Sequence, residues 1–362
     1  MAEFIFEERE YQSRAVEQAV AFFDHGEESI LIESPVGSGK TVMGLLVIKE
    51  LQRKNPELRV NWVASRRHIL NQMEAVNREF FHCRVTPVSV FDSSPPPADL
   101  IILDEAHHEA TQSCLTMYER TGNKLTLGLS ATPLRTDKMR LSFRRNIRTC
   151  TIATLIGQGV LSQYHSYKTP YWNADLMAKV FCRDPEKWGK SLIFFRTLQE
   201  CREFAAVLNG SGISCDVVTG SSNKERQLAK FAVGDVQVIA NVSVLSEGFD
   251  LPELKSVFIR DASRLPTIQM MGRGLRKSPA KPFCNIIQSE QSNFQCEKIA
   301  APQESFRFSK DVWLSCSANT EQIENTLRCS MELLESRPEI KLPLYFQSTP
   351  RKTLVSLRGC FR

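Results

Sequence analysis

The stretch Ser34–Thr41, "SPVGSGKT", constrains what this chain can fold into more than any other segment. Before it lies "ESILIE", short and rich in β-branched residues, as a buried strand requires. After it comes "TVMGLLVIKELQRK", whose apolar residues recur at helical spacing. A strand that turns through glycines straight into a helix is the context in which G-x-x-x-x-G-K-[ST] cradles phosphate. Gly37 and Gly39 let the backbone curl so that its N–H groups, that of Ser38 included, point inward at phosphate oxygens. Lys40 brings a mobile positive charge to the β- and γ-phosphates, and Thr41 offers a hydroxyl to Mg²⁺. The helix that starts there adds its positive dipole end. Ser34 stands where the pattern has its first glycine and is small enough for the turn. The competing reading, a flexible Gly/Ser loop, would need neither the strand nor the helix.

A second segment supplies what that loop lacks. "ADLIILDEAHHEA", Ala98 to Ala110, is a run of apolar residues that delivers two carboxylates and two imidazoles in immediate succession. Leu100 to Leu103 read as a buried strand of a parallel sheet. Asp104, Glu105, His107 and His108 then fall at its carboxyl end, where open α/β sheets place their ligands. Taken alone, the segment also admits a blander reading, a solvated acidic turn after a core strand. Beside a phosphate loop, Asp104 reaches a nucleotide-bound Mg²⁺, and Glu105 orients and deprotonates an attacking water.

Strand and helix patterns alternate in two series. "LRVNWVAS", "ADLIILDE" and "KLTLGLSAT" continue the first. "KSLIFFR", "SCDVVTG", "VQVIANV" and "KSVFIRDA" form the second, with "TLQECREFAAVLNGSG" as an intervening helix that closes on glycine. The fold class this predicts is α/β: two tandem domains with parallel sheets covered by helices, and a cleft between them. The expected boundaries are 1–150, 151–290, and an accessory extension of unknown fold over 291–362. Arginine-rich Thr132 to Thr169 reads as the connection. The tail carries one amphipathic helix pattern, "TEQIENTLRCSMELLESR". With 42% hydrophobic and 24% charged residues the composition is that of a globular protein, and no apolar run is long enough to span a membrane. The opening "MAEFIFEERE" lacks the basic-then-apolar order of a secretory signal, so a cytoplasmic location, or a nuclear one in a eukaryote, is expected. The 11 cysteines are scattered without C-x-x-C, which argues for reduced thiols rather than zinc or disulfides. A net charge of +5 permits a polyanionic partner without demanding one.

With these motifs in order, the chain resembles the superfamily 2 helicases, and within them the DEAH-type DNA motors of the XPB, RadD and restriction-enzyme kind. The resemblance runs from Arg9 to Gln288. "REYQ", Arg9 to Gln12, is similar to the adenine-reading element; it implies that Gln12 hydrogen-bonds the base while Arg9 or Tyr11 flanks it. "DEAHH" is similar to the second motif, with His107 coupling ATP to strand binding. "SAT", Ser130 to Thr132, resembles the third, which links ATP state to nucleic-acid grip. "FFR", with Arg196, and "TGSS", with Thr219, resemble elements that touch or flank the nucleic-acid backbone. "VLSEGFDLP" looks like the fifth motif, in which Gly248 and Asp250 face the nucleotide sugar and the cleft. "QMMGRGLR", Gln269 to Arg276, matches Q-x-x-G-R-x-x-R without a mismatch. Charge developing on a transferred phosphoryl group is best met by a planar, permanently charged guanidinium. Arg273 and Arg276 would bring it from the second domain to a site built on the first.

Other segments are open to two readings. Arg66, in "ASRRHILNQ", falls where the family contacts phosphates, but an exposed basic helix start reads equally well. The stretch between Gln72 and Ala98 is short for the family, with "VSVF" as the remnant of a further nucleic-acid element. "SFRRNIR" reads as a solvated linker face, and Trp62 and Phe195 as core rather than base-stacking residues. The resulting expectation is an ATP- and Mg²⁺-dependent helicase or translocase that grips nucleic acid, DNA in the first place, mainly through backbone phosphates. An ATP-switched nucleic-acid-binding sensor without unwinding activity is the alternative. A small-molecule phosphotransferase is a third class, and it would have no use for Gln269 to Arg276.

Overall fold

A computed structural model describes residues 8–109, 111–134, 139–242, 245, 253–278 and 281–316. Gly248 and Asp250, and the helix pattern of the tail, lie outside the described residues. Met1–Trp313 forms one compact unit, and Leu314–Arg362, described only to Cys316, clusters separately.

The first lobe runs α1 (Glu10–Asp24), β1 (Ser29–Glu33), α2 (Lys40–Lys54), β2 (Val60–Ala64), α3 (Arg67–Val76), β3 (Thr86–Ser89), β4 (Leu100–Asp104), α4 (Gln112–Thr121), β5 (Leu125–Ser130) and β6 (Arg145–Arg148). Its six strands lie in the order β3-β2-β4-β5-β1-β6, each pair parallel. Strands β2 and β4 are buried at every position, as parallel strands covered on both faces must be. Alternate residues serve opposite faces. Trp62, Leu100 and Ile102 pack under α1, α2 and α3, while Val63, Ile101 and Leu103 pack against Cys114 and Met117 of α4.

The second lobe runs α5 (Ile152–Gly157), β7 (Gln163–Thr169), α6 (Ala174–Arg183), α7 (Pro185–Trp188), β8 (Ser191–Phe194), α8 (Leu198–Gly210), β9 (Cys215–Val218), α9 (Lys224–Val233), β10 (Val238–Asn241), β11 (Ser256–Ile259), α10 (Arg264–Gly274), β12 (Phe283–Ser289), β13 (Glu304–Ser309) and β14 (Val312–Ser315). Its eight strands are ordered β14-β13-β7-β12-β11-β8-β10-β9. Leu192, Phe194 and Val257 face α5, α9 and α10; Ile193, Phe195 and Phe258 face α6, α7 and α8. Trp62 and Phe195 are thus both core residues. Helix α8 starts at a capping box, Glu200 N–H donating to Thr197 Oγ1 at 3.2 Å and Thr197 N–H to Glu200 Oε2 at 2.9 Å.

Two sequence expectations need correction. The segment from Thr132 to Thr169 is more than a connection: β6 extends the first sheet beside β1, and β7 sits inside the second between β12 and β13. "SFRRNIR" is therefore an edge strand. Only Ile147 of β6 points into the core, and Arg144, Arg145 and Arg148 pair with Glu28, Glu27 and Glu33. Such exposed pairs add little stability, but charge on an edge discourages pairing with another chain. In the tail, β13 joins the second sheet against β7 rather than standing apart.

Candidate active site

The phosphate loop is braced from within. Ser34 N–H donates to Ser130 O of β5 at 2.9 Å, which ties "SPVGSGKT" directly to "SAT". The Ser34 hydroxyl bonds the Ser38 hydroxyl at 2.6 Å and the Thr149 hydroxyl at 2.7 Å, and Ser38 Oγ donates to Pro35 O at 2.7 Å. A serine at the first position therefore does what a glycine cannot: it cross-links the loop. Gly37 and Gly39 have φ of 81° and 82°, the left-handed region that side chains resist. Space is short as well. A Cβ on Gly39 would stand 2.5 Å from Gln12 Nε2, and one on Gly37 would stand 2.8 Å from Leu161 Cδ2 of the second lobe.

Gln12 is 1% exposed, and its amide is largely committed to main chain. Nε2 donates to Ser38 O at 2.9 Å, and Oε1 accepts the Arg9 N–H at 3.0 Å. One N–H and one lone pair remain for a base. Tyr11 Oη donates to the same Ser38 carbonyl at 2.7 Å, and Arg9 Nη1 lies 3.4 Å from Tyr11 Oη. Arg9 and Tyr11 open on a cavity of 850 Å³ that Arg148, Cys150 and Thr151 also help to line. The walls from the connecting segment were not readable from sequence, because no motif marks them.

Asp104 ends β4 as a buried carboxylate. Burial and the neighbouring Glu105 raise its pKa, while Lys40 and the Glu105 N–H, which donates to Asp104 Oδ1 at 2.9 Å, oppose the shift. The buried Trp62 Nε1 faces this carboxylate outside hydrogen-bond geometry. Glu105 takes φ 53° and ψ 52°, a left-handed conformation rare for glutamate, which turns its side chain off the strand axis. Its Oε2 lies 3.3 Å from Nδ1 of the buried His107, whose ring is tilted against His108 with centroids 4.1 Å apart. A buried acid whose charge is disfavoured by burial and by a second acid is a good cation ligand. Among the described residues no group of three or more His, Cys, Asp or Glu could hold a metal. A bound nucleotide would bring its own oxygens to a cation met by Asp104, and such an all-oxygen donor set suits Mg²⁺.

The second lobe meets this loop through α10. A Cβ on Gly272 would stand 2.9 Å from Val36 Cβ, so the helix that carries Gln269 and Arg273, both buried, lies against the phosphate loop. Arg276 pairs its main chain with Leu161, the residue packed on Gly37, and Ser162 N–H donates to Leu275 O at 2.7 Å. Sequence reasoning missed two residues here. Lys281 is buried with Nζ donating to Gly274 O at 2.6 Å and Leu254 O at 3.0 Å; it ties the end of α10 to the chain just after "VLSEGFDLP". Half-buried His68, at the start of α3, has its pKa lowered by burial and then by Arg66, Arg273 and Lys224, cations from both lobes. Lys281 belongs to no pattern that marks it, and His68 lies within "ASRRHILNQ", where only the arginines drew notice.

The remaining candidates are dispersed. Ser130 is fully buried and its Oγ accepts the Thr132 N–H at 3.3 Å. Arg196 pairs with Asp261 at 2.6 Å at the surface. Thr219 closes a turn with Ser222, whose N–H reaches Thr219 Oγ1 at 3.1 Å. Arg66 lines a cavity of 360 Å³ at the carboxyl ends of β2, β3 and β4.

Two parallel α/β lobes, with a phosphate loop on one and an arginine-bearing helix on the other, form an architecture that known proteins share. Residues 5–94 match the family "Type III restriction enzyme, res subunit", and residues 173–278 match "Helicase conserved C-terminal domain". The chain belongs to the superfamily 2 helicases and translocases. It is 22% identical over 351 residues to "Putative helicase 22" of Sulfolobus islandicus filamentous virus, covering 76% of this chain and 63% of that one. To "Putative ATP-dependent helicase IRC3" of Saccharomyces cerevisiae it is 24% identical over 349 residues, 77% of this chain and 51% of the relative. It thus spans between half and two thirds of these relatives. The solved "ATP-dependent Type ISP restriction-modification enzyme LlaBIII bound to DNA" superposes with a TM-score of 0.59 at 17% identity, covering 81% of this chain and 28% of that one. That likeness carries the tandem RecA-like fold.

Proposed function

We propose that the protein is an ATP-dependent translocase or helicase of the DEAH type, acting on DNA. The observation that carries this reading is α10 seated on the phosphate loop across the seam, since a pocket for ATP alone needs no second lobe. The relatives named as helicases and the restriction-enzyme structure bound to DNA support it. In this reading Gly37, Ser38, Gly39 and Lys40 hold the phosphates, and Arg9, Gln12 and Tyr11 border the base. Thr41 and Asp104 would hold Mg²⁺, which when bound neutralises phosphate charge. Glu105, steadied by His107, takes the proton from the attacking water at its carboxylate. Arg276 and Arg273 meet the charge that develops on the phosphoryl group, and by resemblance Gly248 and Asp250 border the sugar. Arginine delivered from the second lobe makes hydrolysis depend on closure of the seam. Closure alters the grip on a strand contacted by Arg66 on one side and Arg196 and Thr219 on the other, with Ser130, Thr132 and Gln269 as couplers. Backbone contacts of this kind are sequence-tolerant and salt-sensitive.

The test is the ATPase rate with single-stranded DNA, duplex DNA and RNA in parallel, with Glu105→Gln as the inactive control. DNA is expected to stimulate most. A rate indifferent to every nucleic acid would remove the motor reading.

A further inference from the structure

Phe91, just past the end of β3, is 70% exposed. Single exposed apolar side chains are ordinary, but this one is held in place. Val90 N–H donates to Ala64 O at 3.0 Å, Asp92 N–H to Ser89 O at 2.9 Å, and Phe91 N–H to Ser89 Oγ at 3.3 Å. Arg120 of α4 reaches Asp92 O at 3.3 Å from the other side. The ring is thus presented by a pinned turn, so little conformational entropy is lost when something binds it.

Beside Phe91 lies the 360 Å³ cavity, with Val90, Leu103 and Cys114 as apolar walls and Arg66 and His108 as basic ones. Arg67, next in sequence, is exposed. An aromatic face and an apolar wall suit a flat ring, and the arginine beside them suits an anion. A planar base joined to a phosphate is a nucleotide within a strand. The cavity also borders the acid pair: Asp104 lines it, and His108 lies against His107, whose Nδ1 is 3.3 Å from Glu105 Oε2.

We propose that Phe91 and this cavity receive one nucleobase of a single strand, stacked on the ring, with Arg66 on the adjoining phosphate. The first lobe then holds the strand by a base face as well as by its backbone, and an occupied cavity presses on His108 within two side chains of Glu105. This rests on the nucleic-acid reading above and adds to it where on the first lobe a base is held.

The test is affinity of the full chain for a single-stranded DNA oligonucleotide and for its abasic counterpart, by fluorescence anisotropy at several salt concentrations. Phe91→Ala is expected to weaken binding to the normal strand by about 5- to 150-fold, the range for losing one aromatic stack. Phe91→Trp should bind like the parent, and Phe91→Leu should lose most of what Phe91→Ala loses. On the abasic strand the parent and Phe91→Ala should bind equally. The salt slope should survive in Phe91→Ala and fall by about 0.7 in Arg66→Ala. Parent affinity in Phe91→Ala, or an equal loss on both strands, would overturn the base-stacking role and leave the motor reading standing. No binding of either strand by the parent protein would overturn both.

Discussion

The phosphate loop and the arginine helix are built in opposite ways. Ser34 to Gly39 is held by hydrogen bonds among its own residues, by β5, and by α1, all within the first lobe. The end of α10 is held by residues scattered over the second lobe, Lys281, Leu254 and Ser162, and is completed by contact with Val36 across the seam. The first arrangement is ready to bind before anything moves. The second is useful only in one relation to its partner, and a switch needs that property: a group whose service depends on closure reports closure.

Four substitutions would break or sharpen this contrast. Arg276→Ala should cost most, about 10³- to 10⁵-fold in turnover, with nucleotide affinity largely kept. Steady-state ATPase beside equilibrium nucleotide binding checks it, and unchanged turnover would remove the arginine from the chemistry. Glu105→Gln should lower turnover by about 10²- to 10⁴-fold while ATP still binds. Hydrolysis at the parent rate would show that the first lobe does not supply the base. Gly39→Ala tests the loop's self-sufficiency. Left-handed backbone and the close Gln12 amide should cost about 1–3 kcal/mol, seen as a lower melting temperature and weaker nucleotide binding. Lys281→Met strips two carbonyls of their donor and should destabilise by about 1–3 kcal/mol. If the contrast holds, its ATPase rate falls while nucleotide affinity stays; equal loss of both would make Lys281 a general prop.

Much of the fold was legible because parallel strands buried on both faces must be continuous apolar runs. β1, β2, β4, β5, β8, β10 and β11 all fall inside segments read that way. Two of the strands missed, β6 and β7, are of another kind. β6 buries one residue in four, and β7 sets Tyr164 and Tyr167 among polar residues, so neither forms such a run. At the site, glycines at positive φ and acids at a strand end are local requirements and leave a local signature. Gln12 shows the limit. Its position was legible, but the commitment of its amide to Ser38 and Arg9 depends on how α1 docks on the loop.

Residue order by itself determined the phosphate loop, the acid pair at the end of β4 and the arginine motif, because each is a spacing rule that the backbone enforces over a few residues. Tertiary structure alone decided that α10 rests on Val36, that Lys281 grips the end of that helix, and that Phe91 stands beside Arg66 over a cavity. Those relations join residues far apart in the chain, and only packing brings them within contact distance.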